Sequence, residues 1–151
     1  MSRIDFYHLQ KQSMENVLPK LLTKAYETSK KIKIMVGTSE RVEFINSQLW
    51  TFEDDSFLPH GAKKDGFSEI QPIYISADDD NPNHAEFLFL VDGAMIECEK
   101  LNEYERVFNI FDGQIEDDVA MARMNWKKLK DCGLELHYWQ QNNNGKWEQK
   151  G

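Results

Sequence analysis

The chain has 151 residues, enough for one domain that buries roughly 70% of its unfolded surface, and its 18 basic against 26 acidic side chains leave a net charge of −8. That balance argues against a surface that grips phosphates over a long track, which needs clustered, uncompensated Lys and Arg, but leaves room for a local basic rim. Met1 to Asp5 lacks the apolar run of a signal peptide, and the longest wholly apolar run, Phe87 to Val91, is too short to span a bilayer. Cys98 and Cys132 lie far apart in sequence, with spacing for neither a zinc ribbon nor a redox pair. A soluble protein in a reducing cytoplasm is expected.

In chain order, Ile4 to Leu9 reads as a first strand. Met14, Val17, Leu18, Leu21, Leu22 and Ala25 then recur at helical spacing, predicting a helix from Met14 to about Ser29, with a start later than Met14 if Pro19 is to lie near its first turn. Lys31 to Val36 is a second strand. Gly37-Thr38-Ser39 gives a turn and cap for a helix carrying Val42, Ile45 and Leu49 on one side. From Trp50 to Pro72 the pattern lapses into a long irregular segment. Ile73 to Ile75 and Phe87 to Val91 are near-continuous apolar runs that suit interior strands, separated by the turn-rich Asp78 to Asn83. A helical turn near Leu101 to Tyr104 and a strand at Arg106 to Phe111 follow.

The most informative stretch is Glu116 to Gln141. Acids open it (Glu116, Asp117, Asp118) and bases close it (Arg123, Lys127, Lys128, Lys130), the polarity that a helix dipole rewards. At 3.6 residues per turn Val119, Ala122, Trp126 and Leu129 share one buried stripe, with Arg123, Lys127 and Lys130 along its rim. Gly133 ends the helix, and Leu134 to Trp139 alternates as a strand. The βαβα order predicts a single α/β domain over residues 1–141, with a mostly parallel central sheet and helices on both faces. Residues 142–151 form a polar tail expected to be loosely ordered.

That fold is Rossmann-like, yet its first strand-to-helix turn, Leu9 to Ser13, contains no glycine, so no nucleotide-binding glycine loop is present. Gly37-Thr38-Ser39 suits helix capping better than anion binding. Asp78 to Asp80 does not meet the calcium-loop pattern, with Asn83 and Phe89 where glycine and glutamate belong, and reads as a solvated turn. The four histidines have no metal-ligand spacing and read as packing or surface residues. No serine or cysteine nucleophile stands in a recognisable motif. Periodicity alone makes Trp126 a core residue and the late basic residues partners of the helix dipole.

Several strings resemble, in register, the chi subunit of bacterial DNA polymerase III. They are Leu49 to Phe52, Ser56 to Gly61, Asn81-Pro82-Asn83, Val91-Asp92-Gly93, Phe108 to Gly113, Ala120 to Arg123, Trp126-Lys127, Gly133 and Tyr138 to Gln141. The resemblance runs from about Phe6 to Gln141. It implies a non-catalytic accessory subunit, without cofactor or metal, that ties the clamp loader to single-stranded-DNA-binding protein by holding that protein's acidic C-terminal tail, and so reaches DNA only indirectly. It implies tail-binding roles for Arg123, Trp126 and Lys127, the tryptophan standing where the family commonly has tyrosine; Lys130 extends the same ridge. It further implies that Trp50 and Phe57 face a psi subunit leading to the clamp loader. Two other readings stay open from the residues: a Rossmann-like enzyme with an unrecognised nucleotide site, and direct single-strand binding through Trp126, Trp139 and the basic ridge.

Overall fold

The apolar runs expected to be interior strands both lie inside a single sheet, with a neighbour on either side. A computed structural model describes residues 3–9, 14–28, 30–51, 60–62, 72–91, 93–94, 96–142, 144 and 146–150. Its elements are β1 (Arg3–Leu9), α1 (Met14–Tyr26), β2 (Ile32–Val36), α2 (Ser39–Thr51), β3 (His60–Ala62), β4 (Ile73–Ser76), β5 (Phe87–Val91), α3 (Cys98–Leu101), β6 (Arg106–Asp112), α4 (Glu116–Asp131), β7 (Glu135–Gln141) and β8 (Trp147–Gln149). The eight strands are ordered β3-β4-β2-β5-β6-β1-β7-β8. All neighbours run parallel except β7 and β8, which are antiparallel.

Every residue of β2, β4 and β5 is buried, as strands covered on both faces require. The sheet separates two apolar layers. One packs Val17, Leu18 and Leu22 of α1 and Ile45 of α2 against Ile34, Phe89 and Phe108. The other packs Leu101 of α3 and Ala122 and Leu129 of α4 against Ile4, Phe6, Leu88 and Val107. Helices therefore cover both faces of a mostly parallel sheet, as the sequence order predicts.

Four details differ from the sequence reading. Helix α1 starts at Met14 and continues through Pro19. The ring removes one helical donor there, and the Pro19 carbonyl takes an extra bond from Thr23 Oγ1 at 2.8 Å. Within the segment expected to be irregular, His60 to Ala62 forms a short edge strand on β4. The tail is not wholly loose: β8 pairs with the end of β7, and Trp147 packs against the α1-side layer with its ring 5.0 Å from Tyr7. Cys98 and Cys132, whose spacing suits neither a zinc ribbon nor a redox pair, meet as a disulfide with Cα atoms 6.4 Å apart, because α3 and the end of α4 lie on the same face of the sheet.

The acidic turn is also more than a solvated loop. Lys33, fully buried in β2, donates from Nζ to Ser76 Oγ at 2.5 Å, to the Asp80 carbonyl at 2.9 Å and to Asp80 Oδ1 at 2.8 Å. Burial pushes the Lys33 ammonium below its ordinary range while Asp80 pulls it back up. Asp79 pairs with Lys100 at 2.7 Å, so the turn 78–80 closes over one end of the sheet and reaches α3.

Candidate functional site: an aromatic pocket beneath helix α4

Strands β1 and β6 lie side by side, but the chain leaves β1 through α1 on one face and leaves β6 through α4 on the other. Such a switch of crossover direction opens a crevice at the carboxyl ends of the strands. Here the crevice is a cavity of about 400 Å³. Its sheet side is His8 from the end of β1, Phe111 from the end of β6 and Tyr138 from β7. Its helix side is Val119, Ala122, Arg123 and Trp126 of α4.

Local chemistry sets α4 in place. Glu116, Asp117 and Asp118 occupy its first turn and Lys128 and Lys130 its last, complementing the dipole. Beyond Cys132, Gly133 adopts φ 78°, a left-handed conformation that a side chain disfavours, and its N–H bonds the Lys130 carbonyl at 3.1 Å. Ala122 and Leu129 are buried, Val119 and Trp126 half-buried against the same layer. Asn125 is buried too, its amide donating to the Ala94 carbonyl at 3.4 Å. The stripe read from periodicity thus faces the sheet.

Trp126 holds its position by edge-on contacts with Phe6 at 5.2 Å and Tyr138 at 5.8 Å, an arrangement that aromatic quadrupoles favour. Its ring forms a wall of the cavity and is not wholly submerged in the core. Arg123 is exposed and makes no hydrogen bond or ion pair among the described residues, so its guanidinium stands free at the mouth. Lys127 and Lys130 are exposed on the same helix but do not line the cavity, and Lys128 is turned to Glu97 at 3.6 Å. The structure thus brings Arg123 and Trp126 together and leaves Lys127 and Lys130 as a flanking ridge. The side chain of Trp50 and the whole of Phe57 lie outside the described residues.

Sequence reasoning missed His8, Phe111 and Tyr138. His8 Nδ1 and Tyr138 Oη are 2.5 Å apart. Burial, then the Arg123 charge, hold the His8 imidazole below its ordinary value, with Asp112 opposing them. Burial pushes the Tyr138 phenol up, while Arg123 acts the other way. A Cβ at Gly113 would overlap the His8 ring, so that glycine makes room for the imidazole.

Trp139 belongs to a different surface. Adjacent strand residues point to opposite faces, and its indole Nε1 donates to the buried carboxylate of Asp5 at 3.1 Å while its ring stacks 6.5 Å from Tyr7. Arg3 and Arg106 pair with the same carboxylate at 3.1 and 2.6 Å.

Fold and site together define a doubly wound α/β protein with an aromatic, cation-edged pocket at its switch point and, in sequence, no glycine cradle beside it. The chain belongs to the DNA polymerase III chi subunit family: the family described as DNA polymerase III chi subunit, HolC, matches residues 1–137. A relative, the probable DNA polymerase III subunit chi of Rickettsia prowazekii (strain Madrid E), is 31% identical over 109 residues. That match covers 72% of this chain and 66% of the relative's own length.

Proposed function

We propose that this chain is a non-catalytic accessory subunit of the replicase, working in the cytoplasm without cofactor or metal, that holds the acidic C-terminal tail of single-stranded-DNA-binding protein and links it to the clamp loader. The observation that carries the reading is the unengaged Arg123 guanidinium at the mouth of an aromatic cavity. A planar guanidinium takes a carboxylate through two parallel hydrogen bonds. A cavity of about 400 Å³ with walls of Phe111, Trp126 and Tyr138 has room for an apolar terminal side chain behind that carboxylate. Lys127 and Lys130 then meet acids further up the tail. Trp50 and Phe57 are assigned to the psi side of the assembly on family resemblance alone.

Such a contact is small and must order a flexible peptide, so its dissociation constant is on the order of micromolar. Direct single-strand binding is the weaker reading, because Trp126 and Trp139 lie on opposite faces of the sheet and cannot stack successive bases on one surface. Titrating an acidic peptide with a free, aromatic C-terminal residue tests the proposal. Arg123→Ala should abolish most of the binding and leave the thermal melt nearly unchanged. A collapsed melt would make Arg123 a structural residue, and undiminished binding would remove the pocket from consideration.

A further inference from the structure

Among the described residues that line the pocket behind Arg123, His8 and Tyr138 form a polar pair between apolar side chains. His8 and Tyr138 come from β1 and β7, neighbours in the sheet, and meet through Nδ1 and Oη at 2.5 Å. Packing fixes both rings. His8 lies against Phe111, with centroids 4.9 Å apart, and edge-on to Tyr138 at 5.9 Å. On the other side of the imidazole, the backbone of Gly113 leaves no space for even a methyl group. The hydrogen-bond partner of the imidazole among the described residues is Tyr138 Oη, so a change in its protonation acts on that phenol and on the cavity it lines.

We propose that the His8–Tyr138 pair is a proton-gated subsite of this pocket, which holds the carboxylate end of an acidic peptide more tightly once His8 carries a second proton. A phenol is a better donor than a neutral imidazole, so at neutral pH Tyr138 donates to Nδ1 and shows the cavity only its lone pairs. Such a surface repels a carboxylate. When His8 is protonated, both ring nitrogens become donors. Nδ1–H then donates to Oη, and the phenol proton has to turn away from His8 toward the cavity. The wall changes from acceptor to donor and gains a positive charge behind it.

The charged and titratable groups facing His8 among the described residues are Arg123 from α4, Asp112 at the end of β6 and Tyr138 from β7. Burial and then Arg123 favour the neutral imidazole in the free protein, with Asp112 opposing them. An arriving carboxylate offsets the Arg123 charge and adds an attraction of its own, so proton and peptide favour one another reciprocally. Peptide carboxylates, with ordinary values near 3.5 to 4, stay ionised above about pH 5.5. The gain between pH 8 and 5.5 therefore belongs to the protein.

This inference rests on the peptide reading above, and one experiment separates their failures. Binding of an acidic peptide with a free C-terminal phenylalanine is measured on the full chain at pH 8 and 5.5, and the His8 imidazole is titrated by NMR with and without peptide. His8→Gln identifies its signal among the four histidines. Binding should tighten about fivefold in acid, the lower end of ordinary coupling between sites, and the His8 pKa should rise on binding by a matching amount. His8→Gln should bind equally at both pH values, and Tyr138→Phe, which keeps the ring, should lose most of the gain. Equal wild-type affinity at both pH values, an unmoved His8 pKa, or the full gain retained in Tyr138→Phe overturns the gate and leaves the peptide site standing. Absence of binding at both pH values, with an intact melt, overturns the site and the gate together.

Discussion

A buried lysine sets the energetics at the residue scale. Lys33 has no exposed surface, whereas the side chain of its partner Asp80 is 48% exposed. Removing only the anion leaves a cation in the sheet with hydrogen bonds to Ser76 Oγ and a carbonyl, so Asp80→Ala should lower stability by about 1–3 kcal/mol; exposure of Asp80 keeps this below the cost of breaking a fully buried pair. Lys33→Met removes the buried charge itself and should cost less. Denaturant melts of the two variants test the asymmetry, and equal losses would contradict it. Gly113 is the second residue with a defined cost. A methyl there meets both the His8 ring and the Leu9 carbonyl, so Gly113→Ala should destabilise by about 1–3 kcal/mol, in line with overpacking, and weaken peptide binding as His8 is displaced. The Lys33 clamp was hidden in the sequence because Ile32 to Val36 reads as an apolar strand and Asp78 to Asp80 as a polar turn. Nothing in either segment reports that Asp80 caps β2.

Helix α4 was the most legible of the elements, because a charge-sorted amphipathic pattern and a terminal glycine both act within the segment. Short elements carry no such signal. β3 and β8 have three residues each, too few for alternation to show, and each exists because a longer strand offers an edge. α3 has four, well below the length at which a helix is stable alone. It is held by buried Leu101 and by the Cys98–Cys132 link to the end of α4. The sequence separation of 34 residues closed by that link corresponds to about 3–4 kcal/mol of lost unfolded-chain entropy. Adding a phosphine reductant, or substituting Cys132→Ser, should therefore lower the melting temperature of oxidised protein. A melt indifferent to reductant would show that the link contributes no net stability. The binding pocket was legible only on its helix side for a related reason. Arg123 and Trp126 follow from periodicity within α4, but His8, Phe111 and Tyr138 come together only because β1 lies between β6 and β7. Periodicity shows that a strand is buried, not which strand lies beside it.

For the whole molecule, a charge of −8 and a cation-edged pocket are compatible because screening separates their ranges. At 0.1 M salt the Debye length is about 10 Å, so a peptide at the pocket mouth feels Arg123 and the neighbouring Lys127 more than acids farther than that from it. The dependence of stability on pH is a property of the same scale, since it combines groups on both faces of the sheet. His8, held low by burial and Arg123, takes up its proton more readily in the unfolded chain. Its contribution is complete above about pH 6.5, the ordinary imidazole value, and declines as the pH falls below it. At the alkaline end Tyr7 is pushed up to about 12 by burial and then by Asp5, and burial raises Tyr74, Tyr104 and Tyr138 as well. A phenol raised in the folded state favours folding fully below its ordinary value of about 10 and loses that contribution as the pH rises through the folded value. Lys33, held low, acts in the opposite sense below the ordinary lysine value of about 10.4, adding a rise with pH ahead of the loss from the phenols. Stability should thus fall as the pH drops below about 6.5 and fall again as it rises above about 10. His8→Gln should remove part of the acidic decline and leave the alkaline limb in place, whereas Tyr7→Phe should soften only the alkaline limb. Denaturant melts across the pH range check both, and an acidic limb unchanged in His8→Gln would mean that the imidazole titrates alike in the folded and unfolded chain.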